Sequence, residues 1–316
     1  MILEQVMRQI QPLCAQSMAE ARQYFSSIAI PLGSLGLLED AIVQIAGIQQ
    51  QAHPNISHRS VAVFCADNGV VAQGVTQCGQ DVTAIVTENL DKEQTSVCRM
   101  ALHTGVRVLP IDIGVACDIT GQKIIRRKIA YGTKDMTQEA AMTREQCVQA
   151  LEIGIEMAQK CKDDGDQITA VGEMGIGNTT STAAVTSVLT GYAPADVTGR
   201  GAGLSSDGLA RKISAIEQAI ARNRPDPTDP IDVLSKVGGF DIAGITGFYL
   251  GAAANRMPIV ADGVITAAAA LCAVRLCPAV RDYIIFSHES KEPAGKLLLD
   301  ALHVQPFITA GMRLGE

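Results

Sequence analysis

Short runs of apolar, largely β-branched residues alternate along the chain with longer segments whose apolar positions repeat at helical spacing. Val61–Cys65, Val106–Ile111, Ile168–Val171, Pro258–Ala261 and Tyr283–Phe286 read as strands, and their unbroken hydrophobicity suits strands covered on both faces. Between them the pattern predicts helices over 35–49, 81–102, 143–163, 179–190, 207–222, 241–254, 263–276 and 291–302. Asp81, Thr143, Asp207 and Asp241 stand where four of these helices would need N-caps. Alternation of this kind implies an α/β protein with a mainly parallel sheet and helices on both faces. A segment at about 3–24 has the pattern of an amphipathic helix with no strand before it. It predicts a small helical element over 1–30, ahead of a large α/β domain over 31–316. Pro225, Pro227 and Pro230 mark a stiff surface connection rather than a domain linker, because the α/β pattern resumes at once.

Composition narrows the function classes. At 316 residues and 47% hydrophobic the chain can bury a large core, yet it is only 3% aromatic, lacks Trp and holds 29 Gly. Readers of single-stranded nucleic acid by base stacking need aromatic platforms that are scarce here. The 26 basic and 33 acidic residues leave a net charge of −7, the wrong sign for a general phosphate-backbone binder. No nucleic-acid partner is expected. The longest apolar stretch, Ile259 to Cys277, is interrupted by Asp262 and Arg275, so no membrane span is expected either. Nine cysteines without a CxxC pair, and no secretory pattern at the N-terminus, predict free thiols and a cytoplasmic protein. Histidines and cysteines never cluster at ligand spacing, so no metal is expected.

Two glycine-rich loops carry the candidate chemistry. GEMGIGNTT, Gly172 to Thr180, follows a strand and runs into a helix, where backbone N–H groups at the helix start can hold an anion. It lacks the Gly-Lys-Ser/Thr of a P-loop and the spacing of a dinucleotide fingerprint. Its plainer reading is a strand–helix turn capped by Asn178 or Thr179. The second loop, GRGAG at Gly199 to Gly203, precedes a helix bearing Arg211 and Lys212, and the two loops with the lysine could enclose one phosphate. Alone it reads as a flexible connection beside a solvated basic pair. Glu173, Asp67, Asp262 and Glu316 are the acidic candidates for proton chemistry. Asp67, Asp262 and His288 each follow a strand, where ligands sit in open α/β sheets, and Asp67 reads rather as a turn or cap residue. No GxSxG context supports a hydrolase triad.

Taken in order, PLGSLG (31–36), ADNGV (66–70), the Gly172 stretch, GGFD (238–241), PIVADG (258–263), SHES (287–290) and GMRLGE (311–316) resemble one family. It is that of the nicotinate-nucleotide:dimethylbenzimidazole phosphoribosyltransferases, which activate the lower-ligand base of cobalamin-type cofactors. The resemblance implies a Rossmann-like large domain, a small helical domain from the chain termini, and a dimer, either homomeric or paired with a paralogue. It implies two small-molecule substrates, nicotinate mononucleotide and an aromatic base, and no cofactor. Glu316 matches the family's general base, and Glu173 its active-site glutamate facing the developing positive charge. The phosphate is expected on Gly175, Ile176, Gly177, Asn178, Thr179, Gly201, Ala202, Gly203, Lys212 and Ser290, and the base beside Cys78, Val86 and Met174.

Four departures bear on the accepted base rather than on the chemistry. Cys78 stands where members commonly carry Ser or Tyr, and Gly79 where they carry Pro. Asn68 replaces a common His, and Leu37 a common Arg. Members that ribosylate phenols make a phenolic acceptor an open alternative, as does a non-catalytic subunit that supports an active paralogue. Family chains continue past the equivalent of Glu316, so further residues are expected there. A NAD-dependent dehydrogenase is the weaker reading, because no fingerprint follows the first strand.

Overall fold

The computed structural model describes residues 2–201 and 203–314. Its elements run α1 (Ile2–Gln9), α2 (Ala15–Ser27), α3 (Leu37–Gln49), β1 (Arg59–Ala66), a 3-10 turn (Gly69–Gln73), α4 (Asp81–Asp91), α5 (Ser96–Thr104), β2 (Val106–Gly114) and β3 (Ile125–Arg126). They continue α6 (Arg144–Asp163), β4 (Ile168–Met174), α7 (Asn178–Thr190), α8 (Pro194–Val197), α9 (Ser206–Asn223) and α10 (Pro230–Val237). The last are α11 (Phe240–Ala254), β5 (Ile259–Ala261), α12 (Val264–Leu276), a 3-10 turn (Pro278–Tyr283), β6 (Ile284–Phe286) and α13 (Pro293–Leu302).

The strands lie in the order β3-β2-β1-β4-β5-β6, every neighbour parallel. From β1 the chain first builds outward to β2 and β3, then returns to the other side of β1 with β4. A crevice therefore opens at the carboxyl ends of β1 and β4, the place where open α/β sheets bind ligands. The expected α/β class with its parallel sheet is what the chain adopts.

β1 shows why its sequence has no polar alternation. Ala62, Phe64 and Ala66 enter the main core, whereas Val61, Val63 and Cys65 join a second cluster with Leu90 of α4 and Cys98 of α5. Both faces are covered. On the main side α11 is buried all round and lies against α6, where Gly154 and Gly247 let the two backbones approach closely. A Cβ on Gly247 would meet the backbone of Leu151, and one on Gly154 would meet that of Phe248 at 2.5 Å. The alanine run Ala267–Ala270 on α12 is buried in the same core. Leu3 and Ile10 also join it, while α2 and α3 share a small cluster of Ala21, Val43 and Ala46.

Several local expectations are corrected. The segment read as one helix over 3–24 forms α1 and α2, separated by a break that contains Pro12, a residue with no N–H for a helix interior. The predicted 81–102 helix splits into α4 and α5: Glu93 adopts a left-handed φ of 58° and Thr95 caps the restart by accepting from Cys98 N–H. Thr143 caps α6 in a full capping box with Gln146. Asp81, Asp207 and Asp241 each lie inside the first turn instead, the cap positions being Gln80, Ser205 and Gly239. The proline-rich connection is followed by α10, an element the pattern missed, capped by Asp229 with Pro230 at its first turn.

Candidate active site

The crevice between β1 and β4 gathers carboxylates. Glu173, the last residue but one of β4, is in register with Phe64 of β1 and is partly buried. Asp241, at the start of α11, is fully buried behind it. Asn178 opens α7 and joins them: its Nδ2 donates to Asp241 Oδ2 at 2.9 Å and also to Glu173 Oε2. Asp241 Oδ1 accepts a second hydrogen bond, from Ile242 N–H at 3.0 Å. Gly175 lets this cluster close, since a Cβ there would stand 2.8 Å from Asp241 Oδ2.

Burial, with Asp241 and Asp262 nearby, pushes the Glu173 carboxyl up to about 8 against the pull of the Asn178 amide. Burial likewise raises Asp241 to about 6, although the N–H groups of Asn178 and Ile242 oppose it. At the end of β1 the Asp67 carboxyl is also raised by burial. Its Oδ2 accepts from Ala116 N–H at 2.8 Å, and its Oδ1 has no partner. Asp67 thus bridges two segments distant in sequence, which corrects its reading as a local turn or cap residue. Lys128 holds the segment Asp67 leans on: its Nζ donates to the carbonyls of Val115 and Cys117, both at 2.6 Å, and lies 3.3 Å from Asp112 Oδ2.

The glycine turn after β4 is internally braced. Gly177 sits at φ 93° ahead of α7, a conformation that favours glycine. Ile176 N–H donates to Thr83 Oγ1 of α4 at 3.1 Å, and Asn178 N–H to the Gly175 carbonyl at 3.1 Å. Two backbone donors expected on a phosphate are therefore already engaged, one by α4 and one within the turn.

A second group assembles beside it. Lys212 of α9 is buried, and its Nζ donates to Thr179 Oγ1 at 2.8 Å and to the Gly199 carbonyl at 3.2 Å. A Cβ on Gly201 would lie 3.1 Å from that hydroxyl and 3.6 Å from that ammonium. Burial draws the Lys212 ammonium down to about 8, with Glu292 pulling the other way. Ser290 Oγ accepts from Glu292 N–H at 3.3 Å, and the Glu292 carboxylate packs on Gly199. So Thr179, Gly201, Lys212 and the Ser290 segment converge, and the lysine is no solvated surface residue.

The proposed rim of the base pocket adjoins this group. Cys78 is exposed on the loop before α4, Val86 is half-buried on α4, and Met174 is partly buried at the end of β4. Gln77 ties the Cys78 loop to the second glycine loop by donating to the Gly203 carbonyl at 2.5 Å, and Gln80 donates to the Asn68 carbonyl at 3.3 Å. Near the C-terminus, Glu289 N–H donates to the Ile308 carbonyl at 2.9 Å and Lys291 N–H to the Met312 carbonyl at 3.1 Å. The end of the described chain thus runs alongside Ser290. Glu316 and Ala202 lie outside the described residues. Asp262 is exposed and its Oδ1 stands 3.7 Å from His288 Nδ1.

Sequence reasoning missed Asp241, taken for a cap, and Thr83, which carried no signal at all. The GGFD stretch was the available clue to the first.

A family model described as phosphoribosyltransferase (DBI_PRT) matches residues 10–316. Among curated relatives, the nicotinate-nucleotide–dimethylbenzimidazole phosphoribosyltransferase of Acetivibrio thermocellus is 45% identical over 315 residues, covering 100% of this chain and 90% of the relative. The protein of the same name from Roseiflexus sp. is 46% identical over 318 residues with the same coverage. Among solved structures, nicotinate-nucleotide-dimethylbenzimidazole phosphoribosyltransferase from Thermus thermophilus superposes with a TM-score of 0.90 at 34% identity, covering 96% of this chain and 91% of that one. The chain belongs to this phosphoribosyltransferase family.

Proposed function

We infer that the protein transfers the 5-phosphoribosyl group of nicotinate mononucleotide to an aromatic lower-ligand base of the 5,6-dimethylbenzimidazole type. The products are the α-ribotide and nicotinate, and the step serves assembly of cobalamin-type cofactors. The observation that carries this reading is a buried ammonium held by Thr179 and a desolvated carboxylate cluster held by the adjacent Asn178. A mononucleotide with a cationic pyridinium ring has a phosphate for the first and positive charge for the second.

In this reading Lys212, Thr179 and Ser290, with the loop containing Gly201, Ala202 and Gly203, hold the phosphate. The turn from Gly175 through Ile176 and Gly177 to Asn178 backs the ribose and shapes the carboxylates. Glu173 faces the charge that grows on the ribose as nicotinate leaves. The leaving ring departs neutral at its nitrogen, so it needs no proton. Glu316 removes the N–H proton of the base while the other ring nitrogen attacks C1′ from the face opposite nicotinate, which inverts that centre. Cys78, Val86 and Met174 border the base. Positioning both rings in line supplies the remainder of the rate.

The proposal extends to a dimer, homomeric or with a paralogue, supported by the exposed Leu32, Leu35 and Leu38 ahead of and on α3. A cytoplasmic setting fits the nine free cysteines. The test is a substrate panel: protein, nicotinate mononucleotide and each of several benzimidazoles, adenine and phenols, read by the mass of the ribotide. Nicotinate release with a benzimidazole is the expected result. Product only with phenols would reassign the acceptor, and product only after adding a paralogue would make this chain a supporting subunit. Absence of product under every condition would overturn the proposal.

A further inference from the structure

Asn178 has one side-chain NH₂ with two hydrogens, and both are directed to carboxylates: one to Glu173, the other to Asp241. Two carboxyl groups that share a donor in a desolvated site cannot both ionise cheaply, so one of them keeps a proton. The donors decide which. Asp241 accepts from Asn178 at 2.9 Å and from Ile242 N–H at 3.0 Å, whereas Glu173 accepts from Asn178 alone among these groups. N–H donors stabilise a carboxylate in its charged form. Asp241 is therefore the anion of the pair, and Glu173 carries the proton.

The surroundings reinforce that assignment. The groups that bear on Glu173 are Asp241 from α11, Asn178 from α7 and Asp262 beyond β5; none is a lysine or arginine. Glu173 in turn bears on the Cys65 thiol of β1, itself pushed up to about 12 by burial. Asp67, beyond β1, bears on Asp241, and Lys128 bears on Asp67. His288 stands against Asp262. Among the described residues, a cation arriving at Glu173 from outside would find no resident cation in its place.

We propose that Asp241 is a positioning residue for the transfer: as the buried anion sharing Asn178 with Glu173, it keeps Glu173 protonated until the cationic ring of the nucleotide arrives, and binding then expels that proton to solvent. This rests on the functional reading above. Glu173 consequently presents no negative charge of its own before the nucleotide enters, and exposes one beside C1′ only once the pyridinium is seated. The base of the ribotide product is uncharged, so the product leaves no such cation, and Glu173 regains its proton.

Lys212 supplies an opposite signal that the test must separate. Its ammonium is drawn down to about 8, and a bound phosphate favours protonation there. Around pH 7 the lysine is already about nine-tenths protonated, so release from Glu173 dominates; around pH 9 uptake by Lys212 dominates.

The experiment is calorimetric titration of nicotinate mononucleotide into the full chain, in buffers of different ionisation enthalpy, from about pH 7 to about pH 9, a range above the second ionisation of the nucleotide's own phosphate at about 6. The wild type is expected to release close to one proton per nucleotide at about pH 7 and to change sign around pH 8. Asp241→Asn removes the like charge, and its release should move down by about one pH unit or more, so that about half a proton or less is released at about pH 7. A loss of packing alone would weaken binding without moving that profile. If Asp241→Asn does not fold, as judged by circular dichroism, Glu173→Gln serves instead. It should abolish release and leave only the uptake due to Lys212. Absence of release in the wild type, an unmoved profile in folded Asp241→Asn, or persistent release in Glu173→Gln would each overturn the proposal. Nicotinate release in the presence of a benzimidazole is read in parallel. Normal turnover with an unmoved profile would defeat this inference and leave the functional reading intact; proton release on binding without turnover would do the reverse.

Discussion

Lys212 Nζ and Thr179 Oγ1 are 2.8 Å apart, and both lie beside the space that the missing side chain of Gly201 leaves open. The lysine comes from α9 and the threonine from the first turn of α7, so two separate helices deliver one polar grip. On the proposed reading such a grip holds the phosphate, remote from the reacting carbon, and should be felt equally in the ground state and the transition state. Lys212→Met is accordingly expected to raise the KM for nicotinate mononucleotide by about 10- to 100-fold, the worth of a charge-assisted hydrogen bond, with a smaller change in kcat. Steady-state kinetics with the base saturating would show it. A loss confined to kcat would contradict the assignment.

Glu316→Gln should retain nucleotide binding and lose turnover, by about 10²- to 10⁴-fold, because the amide cannot accept the proton of the base. Calorimetry on the nucleotide and a turnover assay on the same preparation separate the two effects. A variant that keeps its rate would remove Glu316 from the mechanism.

Glu173 also writes a pH dependence into stability. In the folded protein it holds its proton up to about 8, whereas the unfolded chain gives it up around 4.5. Between those values the native state binds more protons, so its stability falls as pH rises through that window. Glu173→Gln removes this loss. Urea melts should show the variant near wild type at about pH 5 and more stable by on the order of 2 kcal/mol above about pH 8. Equal stability at both pH values would mean that the carboxyl is better solvated than its surroundings indicate.

Gly247→Ala tests the packing beneath the site. Its Cβ would meet the Leu151 backbone, which cannot rotate away as a side chain would. We expect a loss of about 2 kcal/mol or more and a lower melting temperature, with the KM values of any folded fraction close to wild type. A neutral outcome would show that α6 and α11 can part without cost.

The fold was readable wherever burial is uniform. β1, β2, β4 and the strands after residue 258 announce themselves as apolar runs, and Thr143 with Gln146 marks the start of α6 by a local interaction. The helix breaks were not readable by the same means. The split at Glu93 depends on a backbone conformation that the surrounding periodicity conceals, and α10 begins inside a proline-rich stretch that reads as a connection. In the site, Glu173 and Lys212 stood out through their glycine-rich surroundings. Asp241 did not, because an aspartate near a helix start has an ordinary local use, and only the fold shows its side chain facing Asn178. Asp67 failed for the same reason: its partner, Ala116, lies 49 positions away.

The way the two halves of the crevice are anchored has a consequence for how such an enzyme diversifies. Glu173, Asp241 and Asn178 sit at the ends of β4, α11 and α7, fixed by the core itself. Cys78 lies on an exposed loop, attached through Gln77 and Gln80 by hydrogen bonds to backbone carbonyls. A change at Cys78 therefore leaves the carboxylate cluster of Glu173, Asp241 and Asn178 in place, and reaches the second glycine loop only through Gln77. If Cys78 borders the base as proposed, lineages of this chain could exchange one acceptor for another in single mutational steps at an exposed position, each intermediate remaining folded.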